Sequence, residues 1–128
     1  MISVLLFLAA PVYAQEPLML RHTILGMEPS STGTQLTYRL NLINSGPQNF
    51  HKLRLSFHDV SLSLTVPTDS LDFRTLSSGQ QKHRSLTLHS ALSSNQLETS
   101  DDLLFHLQGI DAQGQTYSIL IRSREVSQ

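Results

Sequence analysis

No cysteine occurs anywhere in the chain. That excludes disulfides, thiolate zinc or iron–sulfur sites, thiol nucleophiles and a lipid anchor on an N-terminal cysteine. Tryptophan is also missing, and aromatic residues make up only 6% of the sequence, too few for a platform that stacks bases or sugars. Neither sign of charge dominates, since nine Lys and Arg stand against ten Asp and Glu for a formal net charge of -1. A nucleic-acid binder needs a marked basic excess to meet phosphates, so no nucleic-acid partner is expected. No amphipathic helical pattern exceeds about ten residues, and no Gly-rich loop opens a helix to cradle phosphate.

What is present is alternation. Leu36, Tyr38, Leu40 and Leu42 fall on one side of an extended backbone, with Thr37, Arg39, Asn41 and Ile43 on the other, and Asn44-Ser45-Gly46-Pro47 follows. This is the pattern of a half-buried central strand of an antiparallel sandwich, and the turn predicts a hairpin to the next strand, His51 to His58. There Leu53, Leu55 and Phe57 alternate with Lys52, Arg54, Ser56 and His58. Before it, Leu18, Leu20, His22 and Ile24 predict a first strand, broken by the turn-rich Gly26 to Gly33. After it the apolar phase slips from Phe57 to Val60, Leu62, Leu64 and Val66, so His58-Asp59 must be a bulge, a corner or a connection to another strand. Leu71, Phe73 and Leu76 predict a short strand, Leu86 and Leu88 another, and Leu103, Phe105 and Leu107 form a final hairpin with Tyr117, Ile119 and Ile121. Ser90 to Asp102 reads as a long connection with one helical turn around Ala91 to Leu97, and the tail after Arg124 as frayed. Seven or eight short strands at intervals of roughly ten residues predict an all-β sandwich.

The first fourteen residues stand apart. Ile2 to Ala10 is apolar, and Val12-Tyr13-Ala14 before Gln15 places small residues where signal peptidase cleaves, although no Lys or Arg precedes the run. The expected organisation is therefore a signal peptide over 1-14 and one domain over 15-128. The protein is expected in the periplasm or secreted, without stable membrane insertion after cleavage, because the run is far short of the about 20 residues that span a bilayer. A domain of this length buries roughly two thirds of its unfolded surface and can fold alone.

Three segments, LNLINSG (40–46), LSSGQQKHRSLTL (76–88) and LLFHLQGIDAQGQTYSILI (103–121), resemble pieces of the immunoglobulin-like and CARDB-like β-sandwich modules of bacterial envelope and adhesion proteins. The resemblance runs from Leu18 to Arg124. It implies an immunoglobulin-like antiparallel sandwich and a non-catalytic binding or spacer role, with no catalytic residues to carry over.

Histidine is the first chemistry to weigh, with six residues: His22, His51, His58, His83, His89 and His106. None shows the spacing that seats a metal, and His83 and His89 lie about 20 Å apart along one strand. Met19, His22 and Met27 suggest a soft copper site, yet Met19 and His22 have opposite parity. A periplasmic copper- or zinc-binding protein is thus the alternative function, while no cofactor and no metal ligand are assigned. No serine sits in a Gly-x-Ser-x-Gly elbow, and no catalytic residue is expected. Glu28, Asp69, Asp72, Glu98, Asp101 and Asp102 would gather at one end of an immunoglobulin-like order, an oxygen-rich set of the kind calcium uses, although solvated turns explain them more simply.

Alternation places Lys52, Arg54, His58, Leu104, His106, Leu120 and Arg122 on one outer sheet face, with the acids elsewhere. Two leucines rimmed by cations suit docking to an envelope or surface protein, and the basic groups can also meet an anionic polysaccharide. Strand addition at an open sheet edge is the other expected docking mode. The sequence therefore points to an exported accessory or assembly subunit of a bacterial envelope or cell-surface structure.

Overall fold

The computed structural model describes residues 17–58, 64–65, 70–93 and 103–126. The candidate signal peptide, Val60, Leu62, Val66, Asp69, Glu98, Asp101 and Asp102 lie outside the described residues, as does most of the expected helical turn. Every regular element among the described residues is a strand: β1 Leu18–Ser30, β2 Gly33–Asn44, β3 Phe50–Phe57, β4 Leu64–Thr65, β5 Ser70–Leu76, β6 Gln81–Ser90, β7 Leu103–Ile110 and β8 Thr116–Glu125.

The hydrogen-bonded order is β4-β6-β2-β1-β8-β7-β3-β5. All pairs are antiparallel except β1 with β8, which run parallel through Leu20 and Ser123, Arg21 and Arg124, and His22 and Glu125. β1 thus joins two layers, β4-β6-β2-β1 and β8-β7-β3-β5, and the expected antiparallel sandwich forms between them. Leu40 and Leu42 from β2, Leu88 from β6, Phe50 and Leu53 from β3, Phe73 and Leu76 from β5, and Leu107 from β7 are fully enclosed. Their burial supplies the main driving force, about 25 cal/mol for each Å² of apolar surface removed from water.

Three expectations are corrected. First, β2 and β3 do not form a hairpin. Both edges of β2 are occupied, by β1 and β6, and β3 lies in the other layer between β5 and β7. The crossing is held by Asn44, which is fully buried and whose Nδ2 donates to Gln48 O (2.8 Å) and Leu76 O (3.1 Å), while its Oδ1 accepts from Gly46 N–H (3.0 Å). Its backbone N–H donates to Gln80 O and its carbonyl accepts from Gly79 N–H, tying in the β5–β6 turn. Second, Gly26 to Ser30 is strand. A bulge between Ile24 and Gly26 ends the apolar alternation without ending the pairing, and only Ser31 and Thr32 make the turn into Gly33. Third, the chain does not fray directly after Arg124: β8 reaches Glu125, and Val126 N–H donates to His22 O at 2.9 Å, while residues 127–128 lie outside the described residues.

Candidate functional site

The outer face of the β8-β7-β3-β5 layer is organised by register. Arg54 stands opposite Asp72 on one side and Gln108 on the other, and Gln108 opposite Ser118. One row along, Ser56 faces His106, and His106 faces Leu120; in the next, Leu104 faces Arg122. His58 N–H extends the ladder by donating to Leu104 O at 2.9 Å. Arg54, His58, His106, Leu104, Leu120 and Arg122 therefore share one contiguous surface. Leu120 is 55% exposed, Leu104 is half-buried, and His106 Nε2 hydrogen-bonds Ser118 Oγ at 2.6 Å.

One expected feature of this face is corrected. The acids are not all elsewhere, because Asp72 sits directly beside Arg54. Its Oδ1 accepts from Arg74 N–H at 2.9 Å.

Lys52 reaches the face by a route that alternation does not foresee. Phe50 pairs with Leu76 and Arg54 with Asp72, but between these pairs both strands bulge, with Leu53 opposite Arg74. Each bulge sets two consecutive residues outward, His51 and Lys52 on β3 and Arg74 and Thr75 on β5, while Phe50, Leu53, Phe73 and Leu76 all stay buried. Lys52 (φ 54°) and Arg74 (φ 58°) are the only non-glycine residues with positive φ among the described residues. Left-handed backbone costs a residue with a Cβ roughly 1–2 kcal/mol, and here it is borne twice, each time by a cation. On the β7 side the extra residue of β3 is accommodated by Gly109, where a Cβ would stand 2.7 Å from Leu53 Cδ2 and 3.0 Å from His51 O.

Between the bulges lies an open recess of about 430 Å³ lined by Lys52, Arg54, Asp72, Arg74 and Thr75. Sequence reasoning found Lys52 and Arg54, assigned Asp72 to an acidic loop set, and missed Arg74 and Thr75. The signal was present: within a strand the apolar spacing widens from two to three, at Phe50 to Leu53 and again at Phe73 to Leu76.

Side chains of β6 cover part of the β5 edge of this layer. Lys82 Nζ donates to Phe73 O (3.1 Å) and Arg84 Nε to Asp72 O (3.1 Å), and the Arg84 guanidinium lies 5.2 Å from the Phe73 ring centroid. Side chains of β6 thereby satisfy two backbone carbonyls of β5.

The histidines do not assemble. His22 is buried, its Nδ1 bonded to Ser123 Oγ at 2.8 Å and its ring edge-on to Tyr38, whereas Met19 is exposed on the opposite face of β1. His51 bonds Thr75 Oγ1 and His89 bonds Thr32 Oγ1. Among the described residues no three His, Asp or Glu gather closely enough to hold a metal ion. Of the expected acidic loop cluster, Glu28 lies near the β1–β2 turn and Asp72 on the outer face of the other layer.

The layers, the order of strands and the first strand shared between them define an immunoglobulin-like sandwich. No protein-family model and no curated protein matches the chain. Among solved structures it is similar to the GH20 exo-β-N-acetylglucosaminidase of Vibrio harveyi in complex with N-acetylglucosamine, with a TM-score of 0.54 and 11% identity over 87% of this chain and 18% of that one. The chain thus spans less than a fifth of that enzyme. It also matches the ASH / PapD-like domain of human CEP192, at 16% identity over 100% of this chain and 99% of that chain, with a TM-score of 0.43. The periplasmic chaperone SfaE matches at 12% identity over 87% and 57%, with a TM-score of 0.30. At these identities the likeness is one of fold alone.

Proposed function

We propose that the protein is a non-catalytic binding module, exported to the periplasm or cell surface, that docks onto an envelope or surface protein through the outer face of the β8-β7-β3-β5 layer. One observation carries this reading: register brings Arg54, His106 and the Leu120–Arg122 stretch, from three separate strands, onto one surface that includes an exposed leucine. An apolar contact rimmed by cations fits a partner that presents an apolar side chain among carboxylates, and such charge complementarity sets both orientation and encounter rate. Export rests on the apolar Ile2 to Ala10 run and the small residues before Gln15.

The test is the double substitution Arg54→Glu with Leu120→Asp. Both sites are solvent-facing, so the variant is expected to fold. Tagged wild type and variant are compared for capture of proteins from an envelope extract of the source cell, and the bait's N-terminus is read by mass spectrometry. The expected result is one partner retained by wild type and lost by the variant, with the bait beginning at Gln15. Undiminished capture by the folded variant overturns the face assignment, and an uncleaved N-terminus overturns the export reading.

A further inference from the structure

We propose that the recess between the facing bulges of β3 and β5 is a binding site for a doubly charged tetrahedral oxyanion, a sulfate or phosphate group. Lys52, Arg54 and Arg74 converge there against the single carboxylate of Asp72, leaving two uncompensated positive charges. The Asp72 carboxylate, held by the Arg74 backbone N–H, offsets one of the three charges. No hydrogen bond from the Lys52, Arg54 or Arg74 side chain to another described residue competes for them. Thr75 adds a hydroxyl at the rim, and Arg forks match the oxygen spacing of sulfate and phosphate.

The backbone supplies an independent argument. Glycine would adopt φ 54° or φ 58° without strain, yet both left-handed positions hold cations, and both line the same recess. The strained backbone fixes where these two side chains leave their strands, so two charges are directed to the walls of one recess. The volume, about 430 Å³, lies within the roughly 300–1,000 Å³ of small-molecule sites, enough for an oxyanion together with a ring that carries it. The recess shares Lys52 and Arg54 with the outer face proposed for docking, but its argument does not require that reading.

The same chemistry comes from a free ion or from an ester on a saccharide, and the test separates them. The 15N-labelled protein is titrated by NMR with sodium sulfate, with inorganic phosphate and with a sulfated disaccharide, each at an ionic strength held constant with sodium chloride. The expected result is saturable shifts confined to the amides of Lys52, Arg54, Arg74 and Thr75. Lys52→Gly with Arg74→Gly removes two cations while suiting both backbone positions, so the variant folds and binds at least about tenfold more weakly. Disaccharide affinity about tenfold above that of inorganic sulfate identifies an ester-bearing sugar as the source, and equal affinities identify the free ion. Absence of saturable shifts with all three probes, or unchanged affinity in the double variant, overturns the proposal.

Discussion

Replacing Asn44 by Ala is the most informative single perturbation of the fold, because one side chain bridges three segments. The substitution removes two donated bonds, to Gln48 O and Leu76 O, and one accepted from Gly46 N–H. At about 1 kcal/mol net for each bond, with a further penalty for leaving the enclosed Leu76 carbonyl unpaired, the loss is about 3–4 kcal/mol. That is a large part of the roughly 5–15 kcal/mol typical of a domain. In urea, with a slope of roughly 1.5–2 kcal/mol per molar, the unfolding midpoint followed by far-UV circular dichroism falls by about 2 M. A fall below about 0.5 M would refute the idea that this corner holds the crossing from β2 to β3. Asn44→Asp sharpens the test. It keeps the acceptor for Gly46 but turns lone pairs toward two carbonyls, so burial and those carbonyls push the introduced carboxyl above its ordinary value of about 4. With the folded pKa above the unfolded one, the native state holds a proton that the unfolded chain releases. Stability is then greatest below the unfolded pKa and is lost as pH rises through the folded one. The gap to wild type should widen from pH 4 to pH 8; a gap independent of pH would contradict the geometry.

Two further outcomes follow from the strand edges and the bulges. Gly109→Ala forces a methyl against Leu53 Cδ2 and His51 O, and should cost about 2 kcal/mol while shifting the amide resonances of Lys52 and Arg74; a silent substitution would show that the bulge has room to spare. Lys82→Ala with Arg84→Ala uncaps Phe73 O and Asp72 O and should lower stability by about 1–2 kcal/mol, and sedimentation at high concentration should reveal new self-association; a strictly monomeric variant would mean that this edge needs no cap.

The residues that alternate announced their own burial but not their neighbours. Leu36, Tyr38, Leu40 and Leu42 are all buried as their spacing requires, and Leu86, Leu88, Leu103, Phe105 and Leu107 follow the same rule. The pairing of β2 with β6 instead of β3 was not legible, since a period of two says which face a side chain takes and nothing about the adjacent strand. Asn44 reads locally as a turn residue, and its reach to Leu76, thirty-two positions away, exists only once both layers pack. Most of the candidate face was legible because Arg54, His106 and Leu120 obey simple alternation. Arg74 and Thr75 were missed because the spacing of three from Phe73 to Leu76 reads alone as the end of a strand, and only the bulge of β3 opposite it shows that pairing continues. Val126 follows no alternating pattern, and the backbone bond that holds it to His22 leaves no trace in side-chain type.

The parallel junction of β1 and β8 also gives the domain a mechanical character. The chain enters at Leu18 and leaves at Val126, at opposite ends of the short ladder that joins Leu20, Arg21 and His22 to Ser123, Arg124 and Glu125. A tensile load applied between the two ends therefore pulls these strands along one another, so the ladder bonds bear it together in shear and do not open one at a time. A module built this way can transmit pulling force between whatever is attached at its two ends before its core is disturbed.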